Sequence, residues 1–270
     1  MSDAGRYESP LSTRYASPTM QRLWSDAHRV HLWRRLWLAL ATEQHRLGLD
    51  IPEKALKEMS AHLEDADLDK ARSYERRFRH DVMAHIHAFA DQAPAARPFI
   101  HLGATSAFVT DNADLIILRD ALRLLLGRVV AVLTALRAFA LRHRELPTVA
   151  YTHYQPAQLT TVGKRTALWL QDLALDAGAL RDAIAALPFR GCKGTTGTQA
   201  SFLELFHGDH DKVRELDRRV AQAFDFPGSI PLSGQTYTRK VDSRVLDLFA
   251  GVAQSGAKFG TDLRLLQHEG

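Results

Sequence analysis

The 270 residues are 46% hydrophobic and 24% charged, with 16 glycines and 10 prolines, a balance that excludes a disordered, collagen-like or Pro-rich linker chain and allows about three quarters of the unfolded surface to be buried. One cysteine, Cys192, excludes an intramolecular disulfide and a zinc site of the two- or four-cysteine kind, and points to a reducing compartment. The formal charge of +4 comes mainly from arginines interleaved with Asp and Glu; this is a mixed solvated surface with no nucleic-acid-binding arm, and it also suits local pockets for an anionic small molecule.

The N-terminus, MSDAGRYESPLSTRYASP, has no apolar stretch of the signal-peptide kind, and charge interrupts every later apolar run of about eighteen residues, so a cytoplasmic location without membrane contact is expected. The first helix begins at Ser17 and Pro18, a capping hydroxyl before a proline suited to the first helical position, carries Leu23, Val30, Trp33, Trp37 and Leu40, and stops at Gly48. A second start falls at Pro52, and a polar stretch from Glu64 to Arg79 leads into the helical DVMAHIHAFA. Three longer helices are predicted over Asp114 to about Arg144, Pro156 to about Leu187, and Thr236 to at least His268. At 1.5 Å per residue each spans roughly 45 Å. Segments 145–155 and 188–235, carrying Gly, Thr, Ser and Pro, read as loops. The expected fold is all-α, with a small N-terminal helical domain over 1–111 and part of a central helical bundle over 112–270. Three long helices with broad apolar faces do not cover one another, so partner chains or further sequence must supply the rest.

Polar clusters at the edges of these helices carry the candidate chemistry: Arg79, His80 and Asp81; His101 to Ser106; Thr152 to Gln158; and Lys193–Ser201 with Ser233–Asp242. Each combines some of an imidazole that exchanges protons near neutral pH, hydroxyl and amide donors for carboxylate or phosphate oxygens, and glycines that admit close backbone approach. Each also has a bland reading. His153 alone suits a cap, Thr105 and Ser106 suit capping of the long helix after Asp111, and Gln235 suits a turn. No metal site is indicated: His85 and His87 stand two apart and face different sides of a helix, while His207 and His210 have only Asp209 and Asp211 beside them. Cys192 lacks a protease or redox signature and reads as a small loop residue, and no phosphate-binding GxxxxGK[ST] loop or dinucleotide fingerprint is present.

The strings RYASPTM at 14–20, RHDVMAH at 79–85, HLGATSAFVTDNADL at 101–115, THYQPAQLTTVGKR at 152–165, FRGCKGTTGTQAS at 189–201 and SGQTYTRKVD at 233–242 together resemble the adenylosuccinate lyases of the fumarase/aspartase superfamily. The resemblance runs over almost the whole chain and is specific below the superfamily. It implies an all-α homotetramer with active sites shared between subunits, acting without metal or organic cofactor. The implied reaction releases fumarate from adenylosuccinate to give AMP, and from the succinylated aminoimidazole carboxamide ribotide. The resemblance makes His153 the general acid that protonates the leaving nitrogen, with Thr152 beside it at a substrate carboxylate. Arg79, His80 and Asp81 become ligand-binding positions, Thr105 and Ser106 hold the succinyl carboxylate, Arg14 and Tyr15 contact the phosphate region, and Gln235 orients the substrate. Arg239 and Lys240 take supporting places. The family's serine-rich loop of the form SSxMPxKxNP, which supplies the base, has no counterpart in these residues. The 270-residue polypeptide alone is therefore expected to show little or no lyase activity. A second lyase of the superfamily, such as argininosuccinate lyase, and a non-catalytic helical scaffold that joins full-length subunits are the alternatives.

Overall fold

The structure is a computed structural model and describes residues 8–269. The chain divides into two compact units, one formed by Met1–Asp120 with Leu187–Thr238, the other by Ala121–Ala186 with Arg239–Gly270. Among the described residues helix accounts for 68% and strand for 6%, so the all-α expectation holds apart from one hairpin.

The first unit opens with a short π turn, Leu11–Tyr15, followed by α1 (Pro18–Leu23) and α2 (Asp26–Arg46). The sequence predicts one helix here, and the structure breaks it in two. Ser17 accepts from the Met20 amide and Ser25, a second capping serine, accepts from the His28 amide, both at 3.2 Å. Val30, Trp33, Trp37, Leu40 and Ala41 form the buried stripe of α2, which ends before Gly48. After α3 (Glu53–Ala61), the helices α4 (Leu68–Phe78) and α5 (Asp81–Gln92) pack together. Trp37 lies stacked against Phe89 with ring centroids 6.1 Å apart, while the buried Arg34 guanidinium sits 4.5 Å over that same ring and donates to Gln92 Oε1 at 2.6 Å. His85 and His87 serve this packing as aromatics, His85 edge-on to Trp33 and His87 against Tyr74 and Phe78.

The long helix α6 runs over Ser106–Arg142, starting a full two turns before the predicted Asp114. Its first part is core, with Phe108, Val109, Leu115, Ile116 and Ile117 buried. Segment 188–235, read as loop, contains α8 (Ala200–Leu205) and α9 (His210–Ala223). Asp209 caps α9 by accepting from the amides of Asp211 and Lys212, and Val213, Leu216 and Val220 bury its apolar face as it packs on α2.

In the second unit the largest correction concerns Pro156. Instead of starting a helix it lies in β2 (Gln155–Thr161), paired antiparallel with β1 (Pro147–Thr152), opposite Tyr151 where the register is irregular. A proline lacking an N–H is tolerated at such a bulge on an edge strand. α7 then runs from Val162 to Ala186. At its start Gly163 is obligatory, because a Cβ there would stand 2.5 Å from the Ala140 carbonyl oxygen and 2.6 Å from Arg144 Cα. α7 packs antiparallel to α10 (Lys240–His268) along a polar seam. Trp169 Nε1 donates to Asp262 at 2.8 Å, Lys258 Nζ to Asp172 at 2.6 Å, and Ser255 Oγ to Asp176 at 2.6 Å. α10 begins later than the predicted Thr236, because Gln235–Thr238 belongs to the first unit, where it has other bonding partners.

Candidate active site

In the first unit the α4–α5 connection places the Arg79–Asp81 cluster at the surface. Arg79 ends α4 in the left-handed conformation, φ 55°, with its amide on the Glu75 carbonyl. His80 caps α5, its Nδ1 accepting from the Met83 amide at 3.4 Å, and Asp81 Oδ1 lies 3.5 Å from that nitrogen. The imidazole of His80 remains exposed in this capping position.

The turn from His101 to Ser106 sits behind it. His101 adopts φ 70° and accepts from Trp37 Nε1 at 2.9 Å, which fixes the unprotonated face of the ring at Nδ1. Burial, with a smaller push from His80, lowers its pKa to about 4. A folded-state value below the unfolded one near 6.5 means that stability from this group is complete above pH 6.5 and is lost as pH falls through the window down to 4. We expect unfolding free energy to fall by about 2–3 kcal/mol from this source between pH 7 and 4. His101→Gln, which keeps an acceptor for Trp37, should flatten that slope, and an unchanged slope in urea titrations would refute the assignment.

Thr105 is buried just ahead of α6, and its Oγ1 accepts from Gln235 Nε2 at 3.1 Å, so two predicted site residues 130 positions apart meet directly. Ser201 Oγ donates to the Gly103 carbonyl at 2.6 Å, bringing the Lys193–Ser201 cluster to the same place. Ser106 is half-buried at the first position of α6.

What holds these loops together was not among the predicted site residues. Arg190 is wholly buried and donates to four carbonyls: Gly191 at 3.2 Å, Lys193 at 2.8 Å, Gly194 at 3.3 Å and Gln235 at 2.5 Å. Its backbone amide and that of Gly191 donate to Asn112 Oδ1 at 2.9 and 3.1 Å, and Asp111 Oδ2 accepts from the Tyr237 amide at 2.8 Å. Lys193 Nζ donates to the Arg190 carbonyl at 2.9 Å. Gln235 is therefore fastened through both its carbonyl and its side chain. Cys192 is fully buried and burial pushes its thiol well above the usual range, so the small-residue reading stands and a thiolate nucleophile does not.

Gly197 closes the assembly. Its φ is 81°, and a Cβ would lie 1.8 Å from the Ser233 carbonyl oxygen. Gly197→Ala is expected to cost at least about 2 kcal/mol in chemical denaturation, combining left-handed strain with that overlap; a loss below about 0.5 kcal/mol would mean that the two loops part easily.

His153 belongs to the second unit. With Tyr154 it forms the two-residue turn between β1 and β2, and both are left-handed, φ 52° and 59°. Turns of this type favour Asn-Gly, and each non-glycine residue held there costs about 1–2 kcal/mol. The turn presents His153 and Thr152 to solvent. Arg14 and Tyr15 are exposed in the N-terminal π turn.

The arrangement offers an exposed imidazole on a strained, well-defined turn and, in the other unit, a hydroxyl–amide pair locked between glycine-containing loops. Such groups suit proton transfer and carboxylate recognition respectively. The lyase family matches residues 48–269. Adenylosuccinate lyases of Schizosaccharomyces pombe and Saccharomyces cerevisiae are 50% and 48% identical to this chain, each alignment covering 98% of it and 56% of the relative. The chain thus spans about half the length of the curated relatives it matches. Among solved structures, a fumarate lyase from a Mesorhizobium species superposes with a TM-score of 0.79 at 25% identity, covering 93% of this chain and 58% of the other. A β-carboxy-cis,cis-muconate cycloisomerase from Acinetobacter calcoaceticus, at 20% identity and a TM-score of 0.81 over 96% of this chain and 59% of the other, shares the fold. With the match extending across both compact units and through the loops just described, the chain belongs to the lyase family.

Proposed function

We propose that this chain carries the acid-bearing portion of an adenylosuccinate lyase, which eliminates fumarate from adenylosuccinate to leave AMP and from the succinylated aminoimidazole carboxamide ribotide. The observation that carries the reading is the His153 turn: a titratable side chain is displayed where backbone preference disfavours it, as expected when chemistry decides the residue. The high identity to adenylosuccinate lyases over nearly the whole chain supports the substrate class.

On this reading the His153 imidazolium gives its proton to the departing purine nitrogen as the carbon–nitrogen bond breaks, while a base removes the proton beside a substrate carboxylate. Thr152 lies at a carboxylate. Thr105 and Ser106 receive the succinyl carboxylate through their hydroxyls, with Gln235 orienting the substrate from its bond to Thr105. Arg79, His80 and Asp81 line the ligand, and Arg14 with Tyr15 meets the phosphate. The acid chemistry requires no metal or organic cofactor. The base comes from outside these 270 residues, which hold no SSxMPxKxNP string. A competition experiment tests the substrate class: AMP should displace a labelled adenylosuccinate analogue from the assembled protein, and displacement by argininosuccinate instead would transfer the chain to the other lyase.

A homotetramer with shared sites belongs to this proposal, as does a cytoplasmic location. Val130, Val132, Phe139 and Leu141 on α6, Leu168 and Leu175 on α7, and Leu246 and Leu263 on α10 are exposed apolar side chains of one unit, more than an isolated soluble surface carries without cost. By length and composition α6 could also cross a membrane; Arg123, Arg128 and Arg137 along it and the lyase relatives favour cover by other helices. Light scattering should find an oligomer that Val132→Asp with Phe139→Asp disrupts, and a monodisperse monomer at micromolar concentration would count against the assembly.

A further inference from the structure

A hairpin that only needed to reverse direction would place Asn-Gly at its turn. This one places His153 and Tyr154 there, both left-handed, and such a geometry persists only where surrounding contacts over-determine it. The contacts come from Tyr154. Its hydroxyl donates to the Leu265 carbonyl oxygen at 3.4 Å, and the nearby Glu269 carboxylate raises its pKa; both groups lie near the C-terminal end of α10. Its ring stacks on Tyr151 of β1, with centroids 6.2 Å apart and planes 29° from parallel. The hairpin tip is thereby tied at the ring to its own strand and at the hydroxyl to a separate helix. A two-residue turn of this type requires positive φ at both central residues, so a contact that holds Tyr154 left-handed favours the turn that also needs a left-handed neighbour.

From this geometry we infer that Tyr154 is a positioning residue for His153: its tether to the end of α10 keeps the imidazole in the one backbone conformation from which it serves as the acid. The inference rests on the proposed role of His153, through which Tyr154 acts. It also accounts for the choice of tyrosine, since phenylalanine would supply the stacking and asparagine the left-handed backbone, while the tether needs the hydroxyl.

Tyr154→Phe in the full 270-residue chain tests it with two readouts. In the free chain, the strong intraresidue amide-to-Hα nuclear Overhauser effect that marks a left-handed His153 should weaken severalfold, with melting temperature unchanged within about 2 °C because the lost bond is exposed. In mixed oligomers with a full-length adenylosuccinate lyase lacking its own acid histidine, kcat should fall about tenfold while KM stays within twofold. Glu269→Ala, which leaves the tyrosine in place, should produce the same two changes in smaller measure. A His153 signal and a kcat unmoved by both variants would overturn the inference, as would a loss of activity that merely follows a fall in melting temperature. Should the unmodified chain give no activity in mixed oligomers, the His153 reading fails by itself, and the Overhauser effect alone decides whether the tether sets the turn.

Discussion

Replacing Arg190 with methionine is expected to lower folding stability by about 3–5 kcal/mol. The guanidinium is fully buried and bonded to four backbone carbonyls from two stretches of chain, Gly191–Gly194 and Gln235. Hydrogen bonds from a charged donor contribute about 1.5–3 kcal/mol each in isolation, but burial of the cation opposes them, and that opposition shows as a lowered Arg190 pKa. Methionine removes the burial penalty and the bonds together, yet strands the carbonyls, and the stranded acceptors dominate. Urea unfolding of the two proteins checks this, together with hydrogen exchange at Gly194 and Tyr237, whose amides are bonded within the same assembly. A loss under about 1 kcal/mol would mean that water replaces the guanidinium at little cost.

His153→Gln should leave the fold intact and remove about 10²–10⁴-fold of the activity that the chain confers on mixed oligomers, the usual contribution of one positioned proton donor. Glutamine retains a hydrogen-bonding tip and left-handed backbone strain similar to histidine, so the change isolates the proton. His153→Gly should raise stability by about 1 kcal/mol by relieving that strain while abolishing activity. A variant that gained stability and kept its activity would separate the turn from the chemistry.

The helices that form local apolar stripes were legible. Ser17 with Pro18, the Trp33–Trp37–Leu40 spacing and the stop before Gly48 follow from side-chain periodicity and capping alone. Ser25 carries the same capping signal, but the apolar pattern continues across it and masks the break. α9 carries its signal too, Asp209 followed by Val213, Leu216 and Val220, within a segment whose glycines and prolines resemble a loop. The hairpin lacked its usual punctuation, because His153 and Tyr154 occupy the turn where Asn-Gly announces one, and Pro156 then imitates a helix start. For the site, residue types suggest proton transfer and anion binding, and the resemblance gives Thr105 and Gln235 separate places at the substrate, but their bond to one another across 130 positions has no trace in the sequence. Arg190 was illegible for the opposite reason: an arginine in a loop normally faces solvent, and only the fold reveals that four carbonyls converge on this one.

If these residues hold the acid of a fumarate-releasing elimination and take the base from elsewhere, fumarate release from adenylosuccinate will show it, followed in the ultraviolet with the chain alone and after assembly with a full-length adenylosuccinate lyase whose matching acid histidine has been replaced. No turnover is expected from either protein alone, and clear turnover from the mixed oligomer. Robust fumarate release by the purified 270-residue chain alone, or a mixed oligomer that forms and stays inactive, would contradict it.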